Sequence, residues 1–237
     1  MAIILRIDVD SPFGWQNIFR KTLSRIHLDF NLISLRYSWL GYHSHVKYVA
    51  RDLLERDIPA VWFFQVAARP SQKFAKMLIK NGHAIGLHLV QDTTWEIFRK
   101  EQQKFEKKVG VRIKGFTKHG SGKRKLSRYH SPQYNPQKLL EYAKKGGFNF
   151  FWGNNEDPTK ESKIIDGIQY FEGAFWLNAD YRDTARFTFD WLLHTTKKRD
   201  IIVLFHPIQT IVNEQTRMVY KQLLELPTKS FKQPCSL

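Results

Sequence analysis

Residues 2–10 read AIILRIDVD, an apolar run that ends in two aspartates. Isoleucine and valine favour the extended conformation, so the run predicts a buried strand over residues 2–9. Farther along, residues 45–57 carry apolar side chains spaced as on one face of a helix, and residues 58–66 form a second apolar run. A strand, a helix and a second strand in this order are typical of parallel strands in one sheet.

The same alternation continues along the chain. Further strands are predicted at residues 83–88, 111–117, 148–152, 168–175 and 201–205. Further helices are predicted after the cap residues Ser71, Thr93, Asn135 and Asn213, and over residues 183–196. About seven strands, most of them followed by a helix, predict an α/β fold with a parallel sheet, open or closed. No linker or shift in composition divides the chain, so we expect one domain over residues 1–237.

The composition excludes several classes of protein. Hydrophobic residues make up 42% and aromatic residues 14% of the 237 residues, which is enough for a substantial core and excludes a disordered chain. A single cysteine, Cys235, excludes an intramolecular disulfide and a cysteine-rich zinc module. The N-terminus does not resemble a signal peptide, and no run approaches the ~18 apolar residues of a membrane helix. We therefore expect a cytoplasmic protein.

The net charge of +16 favours contact with phosphates. The basic residues are spread over the chain, with local density at residues 118–128 and 197–199. This distribution fits a generally basic surface as well as a polyanion site, so no dedicated nucleic-acid site is predicted. Peripheral association with anionic lipid stays open.

Two aspartates, Asp8 and Asp10, end the first predicted strand. Residues two apart on a strand share a face, so both carboxylates can enter one site. Crowded carboxylates repel each other, and a bound cation would relieve the repulsion. The alternative is a surface turn, which the following Ser11-Pro12 supports.

Two histidines also lie at predicted strand ends. If the chain turns helical after residue 88, His88 and Asp92 share a face at i and i+4 and can bind one ion, for which zinc is well suited. His206 leaves a buried strand directly into Pro207 and is placed either for acid–base work or as a hydrogen-bonded structural histidine. A basic loop over residues 118–132 can orient a carboxylate or hold an anionic group, or it can simply be solvated.

Taken in order, these features resemble the polysaccharide deacetylase (NodB-homology) family of carbohydrate esterases. Asp8-Val9-Asp10 is similar to the family's Asp-Asp pair in a spaced form. Residues 53–64 (LLERDIPAVWFF) resemble the helix and strand that follow. Residues 81–88 (NGHAIGLH) resemble the stretch Gly-His-Glu-Ile-Gly-x-His, and residues 202–206 resemble the late strand that ends in Leu-x-His.

The resemblance implies a distorted (β/α)7 barrel that holds one divalent metal, with Zn²⁺ expected and Co²⁺, Ni²⁺ or Mn²⁺ as alternatives. Asp10 and His88 would be ligands, and Asp8 would be the base that deprotonates the attacking water. His206 would be the acid that protonates the leaving amine.

The sequence departs from the family at three motifs. Asp92 stands where the family has its second histidine, so we predict the metal set Asp10, His88 and Asp92. Arg128 is the best match for the arginine of an Arg-x-Pro motif, with His119 as a competitor. The fourth motif has no clear match. Candidate substrate-binding residues, including those considered for this motif, are His119, His130, Asn154 and Asp180.

The predicted function is removal of an N-acetyl group from a sugar or polysaccharide precursor. The positive charge would suit a precursor linked to a carrier through pyrophosphate. One alternative is a catalytically degenerate protein of the same fold that binds anionic glycan or nucleic acid through its basic surface. Another is hydrolysis of a non-sugar amide at the same metal.

Overall fold

A computed structural model describes residues 2–14, 41–120, 135–179 and 182–231, together with Phe19 and Thr22. These residues contain nine strands and seven helices. The strands are β1 (Ile3–Val9), β2 (Ala60–Phe64), β3 (Ala84–Leu89), β4 (Gly115–Lys118), β5 (Phe150–Asn155), β6 (Lys163–Ile165), β7 (Ile168–Gly173), β8 (Phe175–Trp176) and β9 (Ile201–Phe205). The helices are α1 (Ser44–Glu55), α2 (Gln72–Lys80), α3 (Trp95–Val109), α4 (Pro136–Gly146), α5 (Phe189–Thr195), α6 (Pro207–Val212) and α7 (Glu214–Leu223).

All nine strands form one sheet in the order β6-β7-β5-β4-β3-β2-β1-β9-β8. Every neighbouring pair is parallel except β6 and β7. β7 and β8 are consecutive in the chain but lie near opposite ends of the sheet, so the sheet curls into a half-barrel. The predicted α/β barrel is therefore confirmed, although β4 begins at Gly115 and not at residue 111, and the strands differ in two further places.

The predicted strand over residues 168–175 is in fact two strands, and β6 adds an antiparallel edge that the sequence analysis did not predict. β7 ends at Gly173, where a Cβ atom would lie 2.1 Å from the carbonyl oxygen of Asp157. Only glycine permits so close an approach, and the chain leaves the strand there to cross to the other end of the sheet.

The two faces of the sheet have different surroundings. Ile3, Leu5, Ile7 and Val9 of β1 point outward and belong to the large core between the sheet and the helices. The inner face is filled by a smaller cluster that includes Val61, Phe63, Phe150, Trp152 and Phe171. Because side chains alternate between the two faces of a strand, Ile4, Arg6 and Asp8 of β1 face this interior. Asp8, on β1, and Asp10, just after it, therefore lie at the end of a strand that is buried on both sides.

Three of the four predicted N-terminal caps are confirmed. The side chains of Ser71, Asn135 and Asn213 each accept a hydrogen bond from the backbone N–H three residues on. The α3 cap is Thr94, one residue after the predicted Thr93. The helix predicted over residues 183–196 begins only at Phe189, because Asp183 instead accepts hydrogen bonds within a turn.

None of the helices in the described part of the chain is long and apolar enough to cross a membrane.

His83, between α2 and β3, makes stability depend on pH. Its Nδ1 accepts a hydrogen bond from the backbone N–H of Ala60 at 3.1 Å, and the side chain is buried. Burial lowers the pKa of His83 from 6.5 to about 4. Between pH 6.5 and pH 4, His83 binds a proton in the unfolded chain but stays neutral in the folded chain. The free energy of unfolding therefore decreases as the pH falls from 6.5 towards 4.

We expect this loss to reach roughly 3 kcal/mol below pH 4. Urea unfolding at pH 7.5 and pH 4.5, compared between wild type and His83→Gln, measures the part of this loss that occurs above pH 4.5. The variant should lose less stability between the two pH values, because other titrating groups act equally in both proteins. Equal losses would show that His83 does not contribute.

Candidate metal centre

The carboxyl ends of β1, β3, β4 and β9 meet at one rim of the half-barrel. The register pairs His88 with Thr117, and Ile7 with Phe205, so that residues just beyond these pairs come together. A cavity of about 90 Å³ lies at this rim. It is lined by Asp8, Asp10, Ser11, His88, His119, Gly120, Asn154, Trp176, His206, Ile208 and Gln209.

Asp10, His88 and His119 bring three ligand-type atoms together. His88 Nε2 lies 2.9 Å from Asp10 Oδ1, and His119 Nδ1 lies 3.2 Å from the same oxygen. The two ring nitrogens are 2.9 Å apart. Among the histidine, cysteine and acidic side chains of the described residues, these three lie close enough together to hold a metal ion. One carboxylate oxygen and two imidazole nitrogens are a donor set that suits Zn²⁺.

Asp10 is held in its ionised form. Burial raises its pKa, but the charges of His119 and His206 and hydrogen bonds from His119 and His88 bring the pKa well below its ordinary value. His206 Nε2 lies 3.3 Å from Asp10 Oδ2. The carboxylate thus faces three histidines, and an ionised carboxylate is the form that binds a cation.

Asp8 lies deeper than Asp10 and is 2% exposed. Arg6 Nε and Nη2 donate to its two oxygens at 3.1 and 2.7 Å, and His88 Nδ1 lies 3.8 Å from Asp8 Oδ2. Burial raises the pKa of Asp8, but the charges of Arg6 and His88 outweigh it and leave the pKa below its ordinary value. Asp8 is therefore a second ionised carboxylate in the cavity wall.

His206 follows β9, as the sequence predicts, and precedes α6, a short helix that was not predicted. Its side chain is 15% exposed, and its ring centroid lies 6.1 Å from that of Trp176. A partly exposed imidazole beside a carboxylate can carry a proton between the cavity and solvent.

Asp92 is not brought to this group. It is fully buried, and Lys138 Nζ lies 3.5 Å from Asp92 Oδ2. His88 belongs to β3, and the chain after it forms a loop before α3 begins at Trp95, so the helical spacing assumed for His88 and Asp92 does not occur. His119, which the sequence analysis considered for substrate binding, lies beside Asp10 and His88 instead.

A buried lysine ties the two histidine-bearing strand ends together. Lys118 Nζ donates to the Val90 carbonyl at 2.6 Å and to the His119 carbonyl at 3.3 Å. The Glu101 carboxylate accepts from the backbone N–H groups of Val90 and Gln91 at 2.9 and 3.2 Å. Burial raises the pKa of Glu101 to about 7. These contacts fix the loop after β3 against the end of β4.

The remaining predicted residues divide into two groups. Asn154 lines the cavity, where its Oδ1 accepts from Arg6 Nη2 at 2.8 Å and its Nδ2 donates to the Lys118 carbonyl. Arg128, His130 and Asp180 lie outside the described residues.

Several residues of the site were not identified from the sequence. They are Arg6, Ser11, Lys118, Trp176, Ile208 and Gln209. For Arg6 a signal exists, because a charged residue two positions before Asp8 in an apolar strand shares its face. Ser11, Lys118, Ile208 and Gln209 lie within three residues of Asp10, His119 or His206, but no residue pattern singled them out. Trp176 comes from β8, which only the tertiary fold brings to the rim.

No protein-family profile matches the sequence, and no curated protein is similar to it. Solved structures are similar. A polysaccharide deacetylase from Bacillus cereus matches with a TM-score of 0.50 and 13% identity, over 100% of this chain and 94% of that one. A candidate polysaccharide deacetylase from Mycobacterium smegmatis matches with a TM-score of 0.57 and 12% identity, over 94% and 84% of the chains. The fold is that of the polysaccharide deacetylases.

This chain is also similar to PuuE allantoinase, with a TM-score of 0.55, 12% identity and coverage of 94% of this chain and 83% of that one. The fold prediction drawn from the order of the motifs is thereby confirmed. At identities of 12–13%, this similarity shows a shared fold and does not show a shared reaction.

Proposed function

We propose that this protein is a metal-dependent hydrolase that removes an N-acetyl group from a sugar or a sugar-containing precursor. The observation that carries the proposal is the convergence of Asp10, His88 and His119, with Asp8 and His206, in one cavity at the strand ends. This metal set replaces Asp92 of the sequence prediction with His119.

The residues of the cavity suit each part of an amide hydrolysis. Asp10, His88 and His119 would hold a divalent ion, which supplies a Lewis acid for the carbonyl and lowers the pKa of water when it is bound. Asp8, ionised and buried beside His88, would accept the proton of the attacking water. His206, at the more exposed side, would deliver a proton to the leaving amine.

The size and walls of the cavity support a small acyl group. About 90 Å³ gives room for an acetyl group, whereas a pyranose ring would have to lie across the rim. Trp176 and Ile208 supply apolar wall, and Gln209 supplies a polar group. A sugar amide with its acetyl group inside and its ring outside fits this arrangement.

Acetate release tests the proposal. Chelator-treated protein would be assayed on N-acetylglucosamine, its oligomers and its nucleotide-diphosphate form, with Zn²⁺, Co²⁺, Ni²⁺ or Mn²⁺ added back. We expect release with at least one metal, and a fall of about 10²-fold or more when the metal is removed. The matched control is Asp10→Asn, which should not respond to metal.

No release with any metal would overturn the proposal. Allantoin belongs in the same panel, because one structural neighbour is an allantoinase. Its hydrolysis in the absence of acetate release would assign the site to a non-sugar amide. A pyrophosphate-linked substrate, peripheral membrane association, a cytoplasmic location and a single domain stay predictions from the sequence.

A further inference from the structure

Arg6 is a charged residue in the interior of the half-barrel. It is 1% exposed and lies on β1 between the apolar interior cluster and the rim. Below it, the Phe63 ring centroid is 5.7 Å from its guanidinium carbon. Above it are the polar groups of the cavity wall. A guanidinium so far from solvent needs partners for its five N–H donors.

These partners come from three strands. Two donors bind the Asp8 carboxylate in bidentate form, at 3.1 and 2.7 Å. Nη2 also approaches Thr117 Oγ1 at 2.5 Å and Asn154 Oδ1 at 2.8 Å, and Nη1 donates to the Gly153 carbonyl at 2.5 Å. One side chain therefore links β1, β4 and β5 immediately beneath the cavity.

We propose that Arg6 is the positioning residue of Asp8: its planar fork fixes the orientation of the Asp8 carboxylate relative to the metal-binding group. The inference rests on the proposed function, in which Asp8 takes a proton. From the sequence, Arg128 of the basic loop was the candidate for orienting a carboxylate, and here Arg6 on β1 takes that role. Arg6 contacts none of Asp10, His88 and His119 in the hydrogen bonds of the described residues, so it acts through Asp8.

Stability alone does not explain a charge at this position. A buried ion pair gains little over well-packed apolar side chains of similar volume, because both charges lose their hydration. The interior just below is filled in that apolar way by Val61, Phe63 and Trp152. The geometry instead suits orientation, since a bidentate guanidinium holds a carboxylate in one plane and an ammonium group does not.

Arg6→Lys tests this, because lysine keeps the positive charge and removes the fork. The matched control is Arg69→Lys: Arg69 is also buried, at 2% exposed, but lies outside the cavity wall. For Arg6→Lys we expect the kcat of acetate release to fall about 10²-fold, with KM and zinc affinity within about threefold of wild type. Arg69→Lys should change none of the three.

A purely structural role would give a different pattern. If zinc affinity fell in parallel with kcat, or if Arg69→Lys lowered kcat equally, the inference would be wrong. Arg6→Met is the second variant: it should lose at least as much kcat as Arg6→Lys, and full activity in a folded Arg6→Met protein would also overturn the inference.

The orientation of the Asp8 carboxylate in crystal structures tests this inference separately from the proposed function. If wild-type protein released no acetate, the proposed function would fail, and crystal structures of wild type and Arg6→Lys would decide the role of Arg6. We expect the Asp8 carboxylate to rotate in the variant while Asp10, His88 and His119 keep their places. An unchanged Asp8 would contradict positioning by Arg6 whatever the reaction is.

Discussion

Asp8→Asn should lower the kcat of acetate release by about 10³-fold while zinc stays bound. Asparagine has nearly the shape of aspartate, and its amide oxygen can still accept from Arg6, but it cannot take a proton from water. Asp10, His88 and His119 are unchanged by the substitution. The kcat would be measured with saturating substrate, and zinc affinity by competition with a chromogenic chelator.

The control for this variant is Asp166→Asn. Asp166 is exposed and has a φ of 51°, a left-handed conformation that asparagine tolerates well. Its activity and zinc affinity should equal those of wild type. A fully active Asp8→Asn protein would remove Asp8 from the reaction, and a loss of zinc along with activity would make it a part of the metal centre.

His119→Ala should weaken zinc binding by on the order of 10²-fold or more, because it removes one of three donor groups from the cavity. The matched comparison is Asp92→Asn, which changes the residue predicted from sequence spacing. Asp92 lies against Lys138 and not in the cavity wall, so its zinc affinity should stay within about threefold of wild type. Isothermal titration of chelator-treated protein with Zn²⁺ gives both values.

The reverse result would support the sequence prediction. If Asp92→Asn lost zinc and His119→Ala kept it, the loop after β3 would have to rearrange on binding metal. Equal small effects in both variants would mean that neither residue is a ligand.

The fold was largely predictable because it depends on local patterns. Short windows of sequence are enough to recognise apolar strands such as residues 201–205 and helix caps such as Ser71 and Asn135. The break at Gly173 was not predictable. It depends on a carbonyl from another segment, that of Asp157, which comes within 2.1 Å of where a Cβ would lie.

The site was predictable where a residue lies at the end of a strong strand. Asp10, His88 and His206 meet this condition, and the structure brings all three to the cavity. The choice between Asp92 and His119 could not be made locally, because it depends on two facts about the tertiary structure. One is that the chain after residue 89 is a loop, and the other is the pairing of His88 with Thr117 in the neighbouring strand.

The location of a bound zinc ion tests the metal set most directly. Diffraction from zinc-soaked crystals, recorded on both sides of the zinc absorption edge, would locate the ion by its anomalous signal. We predict one peak within bonding distance of Asp10, His88 and His119, with Asp92 still beside Lys138. A peak coordinated by Asp92 without His119, or no peak at this rim at zinc concentrations that saturate binding in solution, would contradict it.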